Sequence, residues 1–313
     1  MALISVVVPV YNEEECLESL FERLDKLQAG CEDSFGFVFV DDGSRDRSLE
    51  IIRGLAGAHD NVSYVSFSRN FGHEVATTAG LDYADGDAVV IIDADLQDPP
   101  EVIPELIAKW REGFQVVYAQ RRVRRGETWF KRISAWMFYR FMGALCNVGI
   151  PPDTGDFRLM DRRVILEVRR CREHSRFIRG LVSWVGFKQA GVLYDRDERH
   201  GGETKYGVLK LILLALDAVI GFSHVPLRWG SYLGMLVCLF SILMAVYIVA
   251  KKLIWGIEIP GYALMTTGVF FLGGTQLLML GLLGEYVGRI YRESQQRPLY
   301  IVAEQSDEQR SVD

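Results

Sequence analysis

Two carboxylates one residue apart, Asp93 and Asp95, follow the apolar run Val89-Val90-Ile91-Ile92. On extended backbone, residues i and i+2 point to the same side, so the pair converges at the carboxyl end of a buried strand. Hard divalent cations take oxygen ligands and sit between a few carboxylates and phosphate oxygens. This arrangement suits Mg²⁺ or Mn²⁺, which would neutralise a nucleoside-diphosphate leaving group. Asp-x-Asp alone is common in solvated surface turns. The buried strand before it and Gln97-Asp98-Pro99 after it make the signal more specific. An EF-hand calcium loop fits less well, because Gly is missing from its sixth position.

Such a pair needs a scaffold. Residues 4–9, 37–41, 62–67, 88–93 and 116–119 read as short β-branched or aromatic strands. Helical spacing separates them, with Leu17, Leu20, Phe21, Leu24 and Leu27 marking one face of the first helix. This alternation predicts right-handed crossovers and a mostly parallel sheet. Ligands then bind at the carboxyl ends of the strands. Three such ends carry polar clusters: Tyr11-Asn12-Glu13, Asp41-Asp42-Gly43-Ser44 and Asp93-x-Asp95. Each alone is an ordinary turn or helix start. Together, at one edge of one sheet, they point to a binding site.

With 313 residues, 49% of them hydrophobic, the chain has ample core for one large or two smaller domains. A net charge of −6 argues against nucleic acid as a partner. Cys16, Cys31, Cys146, Cys171 and Cys238 form no Cys-x-x-Cys pair and read as reduced thiols. No zinc constellation is evident, and the strand-like run from Ile4 predicts no signal peptide.

The C-terminal third changes character. Residues 229–250 and 262–284 carry no formal charge. Each is long enough to cross a hydrocarbon core of roughly 30 Å, and together they predict a transmembrane hairpin. Gly230 and Gly234 have the spacing that lets two such helices approach closely. Arg228, Arg289, Arg292 and Arg297 flank the outer ends, against Lys251 and Lys252 in the connector, which favours both outer ends in the cytoplasm. Residues 128–147 combine aromatic and basic side chains and read as a helix lying in the headgroup layer. Residues 208–222 are apolar but short and contain Asp217. An Asp at mid-membrane costs about 2.5–3.5 kcal/mol, so an interfacial helix is preferred to a third span. The tail after Pro298 is expected to be disordered.

The ordered set Pro9-Val10-Tyr11-Asn12-Glu13, Asp41-Asp42-Gly43-Ser44, Ser68-Arg69-Asn70-Phe71-Gly72, Asp93-Ala94-Asp95-Leu96-Gln97-Asp98-Pro99 and Gly155-Asp156-Phe157-Arg158-Leu159-Met160 resembles the family 2 glycosyltransferases. The segment Arg199-His200-Gly201-Gly202-Glu203-Thr204-Lys205 adds to the likeness. With the hairpin, the chain is most similar to bacterial polyprenyl-phosphate glycosyltransferases of the bactoprenol glucosyltransferase type. Dolichol-phosphate mannose synthases are more distant. The resemblance implies an α/β fold, a GT-A nucleotide-binding sandwich, with interfacial helices and a C-terminal transmembrane helical hairpin. The expected organisation is a nucleotide-sugar-binding core over 1–125, an interfacial helix and acceptor-side region over 126–205, an interfacial helix over 206–227, two membrane helices over 228–285 and a cytoplasmic tail over 286–313.

The same resemblance implies roles. Pro9, Tyr11, Glu13 and Asp42 match the uridine pocket, Asp42 accepting from the uracil N–H. Asp93 matches a ribose or metal contact, and Asp95 the principal metal ligand with Gln97 nearby. Asp156 matches the carboxylate placed near the acceptor. Arg199 and Lys205, with Arg121 and Arg132, match cations that hold the acceptor phosphate. The implied activity is inverting sugar transfer from a UDP-sugar donor, UDP-glucose foremost, to polyprenyl phosphate at the cytoplasmic face of the inner membrane. Mannose, an N-acetylhexosamine or modified arabinose are alternative sugars. The lipid bilayer is an expected partner, nucleic acid is not, and a homo-oligomer is admitted. A processive polysaccharide synthase would show a Gln-x-x-Arg-Trp motif and more spans, and Trp184 does not supply that motif. A non-catalytic nucleotide-sugar-binding scaffold would not need Asp95, Asp156, Arg199 and Lys205 intact. A phosphate monoester has a second pKa of about 6 and is largely a dianion at neutral pH. It scarcely needs a base, so Asp156 is expected to orient a basic group or the donor sugar as much as to take a proton.

Overall fold

The computed structural model describes residues 1–122, 154–195, 225–255 and 261–306. The expected segments 128–147 and 208–222, with Arg132, Arg199 and Lys205, lie outside these residues. Two compact units are present, the first holding the sheet together with the tail after Arg297, the second holding the long apolar helices.

In the first unit the chain runs β1 (Leu3–Val10), α1 (Leu17–Ala29), β2 (Ser34–Asp41), α2 (Ser48–Ala58), β3 (Val62–Phe67), α3 (His73–Tyr83), β4 (Ala88–Ile91), α4 (Ile103–Arg111), β5 (Val116–Arg121), β6 (Thr154–Asp161), α5 (Arg162–Arg170), α6 (Ile178–Trp184) and β7 (Gln189–Tyr194). After the second unit it ends in β8 (Val302–Gln305). The sheet order is β7-β5-β6-β4-β1-β2-β3-β8. Strands β4, β1, β2 and β3 are parallel, as are β5 and β7, whereas β6 and β8 run antiparallel to their neighbours.

Alternate strand residues feed two cores. Val6, Val8, Phe37, Phe39, Val90 and Ile92 meet α1, α2 and α4 on one face. Val7, Val38, Val40, Val65, Val89 and Ile91 meet α3, α5 and α6 on the other. Both faces of the central strands are therefore covered, which is why they read as continuous apolar runs rather than alternating ones.

The second unit consists of α7 (Val225–Trp255) and α8 (Tyr262–Ser294). Within them Leu227–Ile254 and Thr267–Ser294 are long and apolar enough to cross a membrane, and no part of either apolar window is buried inside the protein. A Cβ on Gly230 would lie 2.5 Å from Met279 Sδ, so Gly230 lets α8 approach α7 closely. Gly234 meets nothing within 4 Å.

The tail corrects an expectation. Instead of disorder, the stretch 299–306 carries β8, which pairs antiparallel with β3, the edge of the parallel core; the rest of that tail lies outside the described residues. Tyr300 stacks on Phe67 with ring centroids 5.0 Å apart and donates to Asp82 at 2.9 Å. Glu304 accepts from Arg53 and from the Tyr64 hydroxyl. An uncovered strand edge presents unpaired backbone groups, and this segment satisfies them.

Candidate active site

The polar clusters at the ends of β1 and β2 are tied to each other. Asn12 N donates to Ser44 Oγ at 3.1 Å, Glu13 N to Ser48 Oγ at 2.9 Å, and Arg45 N to Asn12 Oδ1 at 2.8 Å. Asn12 adopts φ 55°, a left-handed turn that asparagine tolerates. Pro9 is buried at the end of β1, while Tyr11 is exposed and Glu13 half-buried.

Buried Asp42 braces the loop after β3. Its carboxylate accepts from Phe71 N at 2.6 Å, Gly72 N at 2.9 Å and Asn70 Nδ2 at 2.9 Å. Burial pushes its carboxyl above the usual range, although the two amides oppose this. The next residue, Gly43, has φ 67°, and a Cβ there would lie 2.6 Å from the Arg69 carbonyl carbon. The 41–44 and 68–72 motifs are thus one packed unit. A cavity of about 460 Å³ lies beside it, bordered by Ser44, Arg45, Arg69, Asn70 and, from the tail, Ala303 and Glu304.

Asp93 and Asp95 lie just past β4, both half-buried. Asp95 Oδ1 accepts from Gln97 N at 3.1 Å, so these two residues share one turn. Leu96 between them has φ 60°. Asp93 Oδ1 is buried and has no hydrogen-bond partner. Burial pushes the Asp93 carboxyl up to about 6, while the neighbouring His73 opposes the rise. A buried carboxylate oxygen without a hydrogen bond, beside a second carboxylate, fits a hard divalent cation, which binds through one or two carboxylates plus substrate phosphates. Among the described residues, no group of three His, Cys, Asp or Glu side chains could hold a metal by itself.

Asp156 reaches the same edge from β6. The antiparallel register pairs Ile91 with Arg158, and two residues further along it Asp93 comes beside Asp156. His73, at the start of α3, joins them: its Nε2 is 3.6 Å from Asp93 Oδ1 and 3.5 Å from Asp156 Oδ2. Burial disfavours the charged imidazolium, but Asp156 and Asp93 outweigh it and hold His73 at about 9. Arg179 of α6 grips Asp156 with both prongs, Nε to Oδ1 at 2.7 Å and Nη2 to Oδ2 at 2.8 Å. Burial alone would raise the Asp156 carboxyl; Arg179 and His73 together hold it far below the usual range. Arg158, fully buried two residues on, donates to the carbonyls of Gly155 and Asp156. Arg121, at the end of β5, lies against Gly155: a Cβ there would be 3.3 Å from Arg121 Nη2.

The structure therefore gathers Asp93, Asp156 and Arg121 around the ends of β4, β5 and β6, with Asp95 and Gln97 in the turn that follows Asp93. Pro9, Tyr11, Glu13 and Asp42 stand at the adjoining β1 and β2 ends. His73, Glu74, Arg158 and Arg179 were not singled out from the sequence. His73 follows the Ser68–Gly72 motif directly, which was the one available signal. For Arg179 the sequence holds none, because its partner is set by tertiary contact.

Residues 5–169 match the family model described as "Glycosyl transferase family 2". The chain is 50% identical over 298 residues to the uncharacterized glycosyltransferase YkcC of Bacillus subtilis, covering 95% of this chain and 92% of that one. It is 42% identical over 299 residues to the bactoprenol glucosyl transferase of Shigella phage SfV, covering 96% and 97%. The crystal structure of mannosyl-3-phosphoglycerate synthase from Rubrobacter xylanophilus shares the fold, with TM-score 0.50 and 20% identity over 74% of this chain and 75% of that one. The sandwich is thus of the GT-A type, and the chain belongs to glycosyl transferase family 2.

Proposed function

We propose that this chain transfers a sugar from a nucleotide-sugar, UDP-glucose foremost, to a polyprenyl phosphate at the cytoplasmic face of the inner membrane, releasing UDP. The observation that carries the reading is the meeting of Asp93 and Asp156 across His73; in this reading Asp93 serves the donor and Asp156 the acceptor. Relatives named bactoprenol glucosyl transferases, alike over nearly the whole chain, support the choice of acceptor and sugar.

In this reading Pro9, Tyr11, Glu13 and Asp42 flank the nucleoside, Asp42 chiefly by bracing the 68–72 loop. Asp93 and Asp95, with Gln97 nearby, would hold Mg²⁺ or Mn²⁺, which offsets charge on the diphosphate. Arg121 serves the acceptor phosphate, a role the sequence also assigns to Arg132, Arg199 and Lys205. An oxygen of the acceptor phosphate attacks the anomeric carbon. The bond to the donor diphosphate breaks with its electron pair leaving on UDP, and a single displacement inverts the centre.

Pairing of β3 with β8 supports a hairpin topology. Two strands of one sheet lie on one side of a membrane, so the chain between them crosses an even number of times. Among the described residues the two apolar helices would supply two crossings, and a single further crossing would break the parity. Arg228, Arg289, Arg292 and Arg297 favour the cytoplasm for that side.

The deciding experiment offers the purified full chain a panel of radiolabelled nucleotide-sugars with polyprenyl phosphate, with and without Mg²⁺ or Mn²⁺. Label entering an organic-extractable lipid, most strongly from UDP-glucose, is the expected result. Label in a long water-soluble polymer would instead indicate a processive synthase, and donor binding without transfer a non-catalytic scaffold.

A further inference from the structure

Asp156 stands where an acceptor-side carboxylate would act as a base, yet its surroundings do not suit that task. Arg179 occupies both of its oxygens in a bidentate pair, at 2.7 and 2.8 Å, and also donates from Nη1 to the Thr154 carbonyl at 3.2 Å. A guanidinium fork held this way is fixed in position and orientation. Its backbone is fixed as well. Ile178 N, at the start of α6, donates to Glu74 Oε2 at 2.8 Å, and Glu74 follows His73 on α3. Three elements, α3, β6 and α6, thus converge to set one cation.

The pair is not equally hidden. The Asp156 side chain is 11% exposed and the Arg179 side chain 27%, so Arg179 is the more accessible member of the pair. Two phosphate-bearing substrates must meet within reach of Asp93, and they repel. Positive charge is what such a site requires, and a phosphate dianion brings its own nucleophilic oxygen without help from a base. Guanidinium geometry matches phosphate oxygens as well as it matches carboxylate.

We propose that Arg179 contacts the phosphate of the acceptor, and that Asp156 is the positioning residue that aims it. This rests on the lipid-phosphate reading above. The recognised chemistry is a phosphate monoester dianion, carried by the lipid or free in solution.

The test uses the full chain in lipid nanodiscs. Initial rates are measured against polyprenyl-phosphate concentration for the wild type, Arg179→Ala, Arg179→Lys, Asp156→Asn and the double variant Arg179→Ala/Asp156→Asn. UDP binding is measured by calorimetry on each, and inorganic phosphate is added as a competitor. Arg179→Ala should raise the KM for lipid phosphate about tenfold or more, the scale of a lost charge-assisted hydrogen bond. Its UDP affinity should stay within about twofold of wild type, a shift small beside that loss. Arg179→Lys, which keeps the charge but not the fork, should fall between. Asp156→Asn should move the same KM in the same direction, and the double variant should be no worse than Arg179→Ala, because the two act as one unit. Inorganic phosphate should inhibit the wild type more strongly than Arg179→Ala if free phosphate reaches the same contact. An unchanged KM in Arg179→Ala overturns the proposal, as does equal loss of UDP binding in both Arg179 variants, which would mark the residue as structural. A fall in kcat alone for Asp156→Asn, at unchanged KM, would make Asp156 a base and overturn it too. If the wild type charges no lipid with any sugar, the functional reading fails first and the proposal with it.

Discussion

Asp93 and Asp156, far apart in the chain, stand side by side because β4 and β6 run antiparallel in the register that pairs Ile91 with Arg158. His73 completes the contact from a third element, within 3.6 Å of one carboxylate and 3.5 Å of the other. This relation brings the two halves of the candidate site together.

Asp95→Asn should abolish transfer. A neutral amide is a much poorer ligand for Mg²⁺ or Mn²⁺ than a carboxylate. UDP-sugar affinity should drop when the metal is present and change little when it is absent, as read by calorimetry. Activity that survives both the substitution and EDTA would remove Asp95 from the metal site.

Asp42→Ala should loosen the loop after β3. The carboxylate takes two backbone amides and the Asn70 side chain, and a hydrogen bond to a charged group contributes about 1.5–3 kcal/mol. Amide exchange at Phe71 and Gly72 should speed up by at least tenfold, and donor affinity should fall. Unchanged protection at both amides would show that the brace is dispensable.

The tail should loosen in acid. Arg53, and then Tyr64, hold Glu304 down at about 2, below the ordinary carboxylate value of about 4.3. A depressed folded pKa contributes stability that is complete above the unfolded value and lost as pH falls through the folded one. The docked strand should therefore hold from neutral pH to about pH 4.3 and weaken toward pH 2, by a small amount because the pair is near solvent. Hydrogen exchange of Val302–Gln305, corrected for its intrinsic pH dependence, measures this. In Glu304→Gln the acid step should vanish; a step of the same size would assign it to another group.

Fusing a reporter that works only in the periplasm to the C-terminus should yield no signal. The β3–β8 pairing ties the tail to the sheet that begins at Leu3, so both must share one side of the membrane. A strong periplasmic signal at the C-terminus would exclude the hairpin.

Much of this protein was legible in the residues. The strands at 37–41 and 88–93 were readable from the apolar runs Phe37–Val40 and Ala88–Ile92, because burial on both faces forces apolar continuity there. The Asp93-x-Asp95 pair, Asp42 and Asp156 were readable as site candidates from motif order, and the two long helices from uncharged length. What remained hidden depends on pairings between distant segments. Local pattern records which side chains are apolar, not which strand a segment will pair with. Hence β8 looked like a polar tail until β3 offered it an edge, and Asp42 looked like a free ligand until the amides of the 68–72 loop closed on it. Arg179 is the sharpest case: nothing in its neighbours in sequence marks it, and only the packing of α6 against β6 turns it onto Asp156.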